Sequence, residues 1–188
     1  MIIANRLVFF LAILITFYVC DNYPSTIQKK QPLVIKRVSY VGLLISLTYI
    51  LSGLLFETLL PYMQYGNERI TTSITVTGFS LVLTYLSFFA PYHQKFLTKD
   101  IKKMMLVVQL LLALSTFTLI DPHYLIKEVV IYGGMYALFV IGFAGVKDRM
   151  SIAPIPDFIK GLPLDLLTLF LFLLSFSFLN GVFFDQLF

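Results

Sequence analysis

Six uncharged apolar stretches, Leu7–Cys20, Val38–Phe56, Ile70–Gln94, Met104–Ile120, Val129–Val146 and Leu166–Phe184, fill more than half of the 188 residues and leave only connectors between them. Most approach the ~20 residues that a helix needs to cross bilayer hydrocarbon. Strands are the poorer reading. A barrel strand alternates polar and apolar residues, whereas the run from Leu166 to Leu174 is apolar almost throughout. Only 13% of the side chains are charged and 59% are hydrophobic. A soluble chain carries roughly a quarter charged residues and could not bury so much apolar surface at this length. The sequence therefore predicts an all-α polytopic membrane protein: one integral membrane domain over residues 1–188, with six transmembrane helices and the lipid bilayer as its first partner.

The connectors sort the basic residues. Lys29, Lys30, Lys36 and Arg37 lie between the first two stretches. Lys95, Lys99, Lys102 and Lys103 lie between the third and fourth, and Lys147, Arg149 and Lys160 between the fifth and sixth. The other three of the 14, Arg6, Arg69 and Lys127, fall on the opposite side. Basic residues accumulate on the cytoplasmic side, so this alternation predicts both termini outside and those three connectors inside. Read this way, the net charge of +4 is a topological signal, and no nucleic-acid partner is expected. The first stretch follows Arg6 like a signal peptide, but its exit, Thr16-Phe17-Tyr18-Val19-Cys20-Asp21, offers no small-residue cleavage site; a retained, short first helix is expected. There is no Trp, and the 11 Tyr and 19 Phe can take its place at the membrane boundary.

Local punctuation agrees with these boundaries. Asp121-Pro122 reads as a helix start, and Pro163 plays the same part for the sixth helix. Lys147 and Arg149 are expected to end the fifth helix, where its dipole is negative.

Residues that carry chemistry are scarce. The single Cys20 excludes a disulfide framework and leaves one thiolate for any metal. His93 and His123 fall on opposite faces by this topology, with no ligand spacing around either, so no metal site and no catalytic residue is expected. Polar groups inside apolar stretches are the remaining candidates, because lipid penalises them unless they serve contact or conduction. They are Glu57, Gln109, Glu128, Asp165 and Asn180, and a cap or an interhelical hydrogen bond is the commoner role for such groups. Gly133, Ala137, Gly142 and Gly145 offer close helix–helix approach.

The stretch Ala144-Gly145-Val146-Lys147-Asp148-Arg149-Met150-Ser151-Ile152-Ala153-Pro154-Ile155-Pro156-Asp157-Phe158-Ile159-Lys160-Gly161-Leu162-Pro163 resembles the six-helix membrane subunits of the Rnf electron-transport complex and of the sodium-translocating NADH:quinone reductase (Na+-NQR). In that family helix five ends in a basic–acidic–basic triplet, followed by Val-Pro, an aromatic, a basic residue and Gly. Phe176-Ser177-Phe178-Leu179-Asn180-Gly181 is similar to the Phe-x-Gly that closes the family's sixth helix. The match covers about forty residues, with a looser likeness before them. The resemblance, to the A- and E-type subunits, implies a three-plus-three inverted repeat, a bacterial-type inner membrane and a place in an ion-translocating electron-transport complex. It also implies a [2Fe–2S] cluster shared between two homologous six-helix subunits, each giving one cysteine from helix one and one from helix four. Here Leu14 and Ser115 stand near those cysteine positions, so no cofactor is expected.

Two functions follow as expectations. The first is a cluster-less accessory or degenerate paralogue, at most a non-catalytic subunit of a redox-driven translocase, partnered with other membrane subunits and possibly with a homologous six-helix subunit. The second is an independent small-solute or ion transporter on the same scaffold.

Overall fold

The computed structural model describes residues 2–21, 32–59, 68–89, 97, 99–116, 125–152 and 162–183. Among them every regular element is helical. In order they are α1 (Ile2–Asp21), α2 (Pro32–Leu59), α3 (Glu68–Ser87), α4 (Lys99–Thr116), α5 (Leu125–Ile152) and α6 (Leu162–Phe183). Each apolar stretch has become one helix, because a helix satisfies its own backbone groups whatever surrounds it. Two helical stretches, Ile35–Leu59 and Ile126–Arg149, are long and apolar enough to cross a membrane; Leu7–Tyr18 is a shorter apolar run.

Three boundaries differ from the sequence expectation. The third helix stops at Ser87 rather than continuing to Gln94. The amides of Phe88 and Phe89 bond back three residues to the carbonyls of Tyr85 and Leu86, both at 3.1 Å, and so tighten the exit. The fourth helix starts at Lys99 and takes in Lys102 and Lys103; the fifth runs past Lys147 and Arg149 to Ile152. Lysine and arginine propagate a helix well, so charge marks the end of an apolar span rather than of the helix itself. Asp121 and Pro122 lie outside the described residues, and α5 is described from Leu125.

The packing centres on two pairs, α2 with α5 and α1 with α4. Close approach at the first pair comes from glycines. A Cβ on Gly42 would lie 2.6 Å from Cγ1 of Val140, and one on Gly53 would lie 2.8 Å from Cγ1 of Val129, both on α5. Gly42 meeting Val140 while Gly53 meets Val129 makes the two helices antiparallel. Against α1, α5 runs parallel, through edge-to-face rings at Phe9–Tyr136, Phe10–Phe139 and Phe17–Phe143 with centroids 6.1, 5.8 and 5.3 Å apart. Such pairs contribute about 1 kcal/mol each beyond area burial. Outside this core α3 packs on α2 and α4, while α6 touches α5 and α1 only sparsely.

The two halves of the chain therefore use the same pairings. Exchanging α1–α3 for α4–α6 maps α1–α4 and α2–α5 onto themselves, and α3's neighbours onto those of α6. The departures are the light attachment of α6 and the α1–α2 contact, which has no equally developed counterpart between α4 and α5.

Candidate functional site

Polarity in this bundle is turned inward. Thr16, Ser46, Thr48, Ser52, Thr72, Ser73, Ser80, Thr84, Gln109 and Ser115 are buried, while Leu7, Leu47, Ile74, Phe89, Leu138 and Phe170 are among the large apolar side chains left exposed. A water-soluble helix does the reverse.

Most buried hydroxyls are satisfied at home. Those of buried Thr48, Ser52, Ser80 and Ser115, and of half-buried Thr75 and Thr77, bond to carbonyls three or four residues earlier in their own helices. Such back-bonding hides a hydroxyl without a partner helix.

Among the described residues, hydroxyl contacts also cross between helices. Thr16 on α1 donates to the carbonyl of Ala12 at 2.8 Å, and its oxygen lies 2.6 Å from the Tyr136 hydroxyl on α5. Thr16 has one proton and spends it on Ala12, so Tyr136 is the donor between the two. Ser46 on α2 donates to the carbonyl of Gly133 on α5 at 2.6 Å. Thr84 on α3 reaches the Thr48 hydroxyl at 3.2 Å. Together they tie α1 and α2 to α5, and α3 to α2.

Gln109, on α4, is different. Its side chain is 0% exposed, and neither amide atom has a hydrogen-bond partner among the described residues. An amide buried without partners costs about 1–3 kcal/mol, so such a group calls for a reason.

The structure distributes the other sequence candidates rather than gathering them. Glu57 is exposed towards the end of α2, and Glu128 is half-buried in the first turn of α5. Asp165, in the first turn of α6, holds Lys147 of α5 at 2.7 Å, and the Lys147 ammonium lies 4.3 Å from the ring centroid of Phe17 on α1. That cation therefore links three helices. Asn180 lies on α6, with its side chain outside the described residues. Gly133 is occupied within the chain: a Cβ there would meet Ile50 Cγ1 of α2 at 2.7 Å. Ala137 is buried and Gly142 half-buried, while Gly145 is exposed with open space where its Cβ would be.

Leu14 is half-buried on α1, and Ser115 is buried on α4 with its hydroxyl on the carbonyl of Leu112 at 2.6 Å. Cys20 is buried beside a gap of about 10 Å³ shared with Thr16, Ile45, Met104, Met105 and Val108. Among the described residues no three His, Cys, Asp or Glu side chains assemble into a metal-holding group; His93 and His123 lie outside them.

Sequence reasoning missed Gly42, Gly53, Thr16, Ser46 and Tyr136. The α2 signal was present: Gly42, Ser46 and Gly53 recur at helical spacing on one face. Compared with protein-family models, with curated proteins and with solved structures, the chain has no match.

Proposed function

We propose that all six helices cross a bacterial-type inner membrane with both termini outside, and that the protein is a cluster-less membrane subunit of an Rnf-like or Na+-NQR-like complex. The observation that carries the membrane reading is the inverted polarity: hydroxyls and an amide inside, Leu, Ile and Phe outside. Lipid solvates that exterior, whereas water would drive it to aggregate. The paralogue reading rests on the resemblance around Lys147–Pro163 and draws support from the pairing of α1 with α4 and α2 with α5, a pattern compatible with a three-plus-three inverted repeat.

Purification from its own membranes in mild detergent, with mass spectrometry of co-purifying chains, tests this function. Flavin and iron–sulfur subunits should accompany the protein; a lone chain would sink the subunit reading. Topology is checked separately. Single cysteines replacing Ser25, Gln94 and Ser151 should resist an impermeant thiol reagent in intact cells, and labelling at any two of them would overturn the orientation.

One observation favours the second reading, a small-solute or ion transporter. Gln109 on α4 is a buried amide with no partner among the described residues, where a desolvated ion or polar solute would find both a carbonyl oxygen and an N–H. Flux of a cation or small polar solute into vesicles holding this chain alone, abolished by Gln109→Leu, would place the transporter ahead.

A further inference from the structure

Between α3 and α4 runs an open groove of about 560 Å³, lined by Leu81, Val82, Tyr85 and Leu86 on one side and Leu106, Val107 and Leu110 on the other. Its volume falls within the ordinary range for small-molecule sites of about 300–1,000 Å³, yet its lining exposes no polar surface. Apolar surface of this kind fits a hydrocarbon chain. What stands at its end selects the headgroup.

Val107, Leu106 and Leu110 follow Lys103 by four, three and seven residues, so all four share one face of α4. Lys99 precedes Lys103 by one turn. At 100° per residue both lysines lie within roughly 30° of the groove's centre line, and Asp100 lies about 70° off it. Both lysines are exposed. Helical side chains lean towards the N-terminus, which carries these ammonium groups away from the apolar floor and towards the membrane surface. Lys102 is committed elsewhere: its ammonium donates to the carbonyl of Phe88 at 3.3 Å and sits 5.6 Å from that ring's centroid, fastening the end of α3 beside the groove. Tyr85, exposed on the facing wall, is of the residue type favoured at headgroup depth.

We infer that the α3–α4 groove is a binding site for an anionic phospholipid of the inner leaflet, with an acyl chain along Leu81–Leu86 and Leu106–Leu110 and the phosphate held by Lys99 and Lys103. The site rests on the membrane reading above, and on the α3–α4 connector lying on the cytoplasmic side. A zwitterionic lipid fills the groove equally well but gains less from the lysines. Each lysine near an anionic headgroup favours it by about fivefold.

The absence of Trp makes the test clean. Leu110→Trp puts one reporter in the groove, and Leu47→Trp puts a control on the exposed face of α2. Each full-length variant is reconstituted in equal mixtures of phosphatidylcholine and phosphatidylglycerol, with bromine on the acyl chains of one lipid or the other. Quenching at the groove should report at least a fivefold preference for phosphatidylglycerol, against a ratio near one at the control. Lys99→Gln with Lys103→Gln should bring the groove ratio down to the control value, as should molar salt, where the screening length shrinks to about 3 Å. Equal quenching by both lipids at the groove would overturn the site while leaving the membrane reading intact. No quenching at the groove alone would mean that protein covers it, which also overturns the site. No quenching at either position would remove the membrane reading and the site together.

Discussion

At the scale of single residues, buried hydroxyls find carbonyls, whereas the Gln109 amide has no partner among the described residues. Replacing Gln109 by Leu keeps similar bulk and deletes both orphaned groups. The substitution should raise stability by about 1–3 kcal/mol, seen as a higher thermal midpoint in detergent. A lower midpoint would mean that the amide is satisfied in the native membrane. Tyr136→Phe should act in the opposite direction, since it removes the donor to Thr16; interhelical hydrogen bonds in membranes contribute about 0.6 kcal/mol on average, so the loss should be small. The sequence singled out Gln109 because an amide among Leu and Val stands out. It could not single out Thr16, whose significance depends on which helix lies opposite; Ser46 carried a signal only through its spacing from Gly42 and Gly53. Nor does composition say which tyrosines turn inward: Tyr49 and Tyr136 are wholly buried, and Tyr136 hides its hydroxyl on Thr16.

At the scale of helices, contact is set by where side chains are missing. Gly42→Val should cost about 1–3 kcal/mol, because its Cβ would meet Val140 Cγ1 at 2.6 Å and neither helix has slack in a close-packed pair. Gly78→Ala is the matched control. Nothing stands within 4 Å of that position, so it should be neutral or stabilising by up to about 1 kcal/mol from helix propensity. Equal losses at both sites, measured by detergent or thermal unfolding, would remove the close-approach account of α2–α5. The attachment of α6 depends on a different element. With few contacts of its own, it is pinned where Asp165 meets Lys147, at side-chain exposures of 13% and 25%. Lys147→Met strands the carboxylate in a partly desolvated place and should loosen α6 by about 2 kcal/mol, which accelerates its amide exchange roughly 30-fold with α2 unchanged. Adding Asp165→Leu should restore most of that protection, since an apolar pair replaces a partly buried ion pair at little cost. The six helices were legible from apolar length alone. Their ends were not, because lysine-rich turns such as Lys99–Lys103 and Lys147–Arg149 continue a helix beyond its apolar span.

At the scale of the molecule, the sequence showed the apolar spans and the basic asymmetry but not which spans are neighbours. The pairing of α2 with α5 arises from Gly42, Gly53 and Gly133, and that of α1 with α5 from the ring contacts of Phe9, Phe10 and Phe17, whose partners all lie more than seventy residues away. That pairing reassigns the small residues of α5. Gly133 is filled by α2 within the chain, so Gly133→Leu should unfold the protein and say nothing about partners. Gly145 faces outward with open space above it, beside Ile141 and Val146, and is where a second membrane subunit could approach without disturbing the fold. In the subunit reading, Gly145→Leu should leave the unfolding free energy within about 0.5 kcal/mol of wild type, as surface changes do, while releasing the co-purifying subunits. Iron content gives a second measurement on the same preparation. Leu14 supplies no donor atom and Ser115 a hard oxygen already bonded to Leu112, so iron should travel with the partner subunits and leave with them. Stoichiometric iron with cluster absorbance retained by the isolated chain would refute the cluster-less assignment. A wild type that purifies alone and conducts a solute through vesicles, blocked by Gln109→Leu and indifferent to Gly145→Leu, would move the function from the exterior of α5 to the interior beside α4.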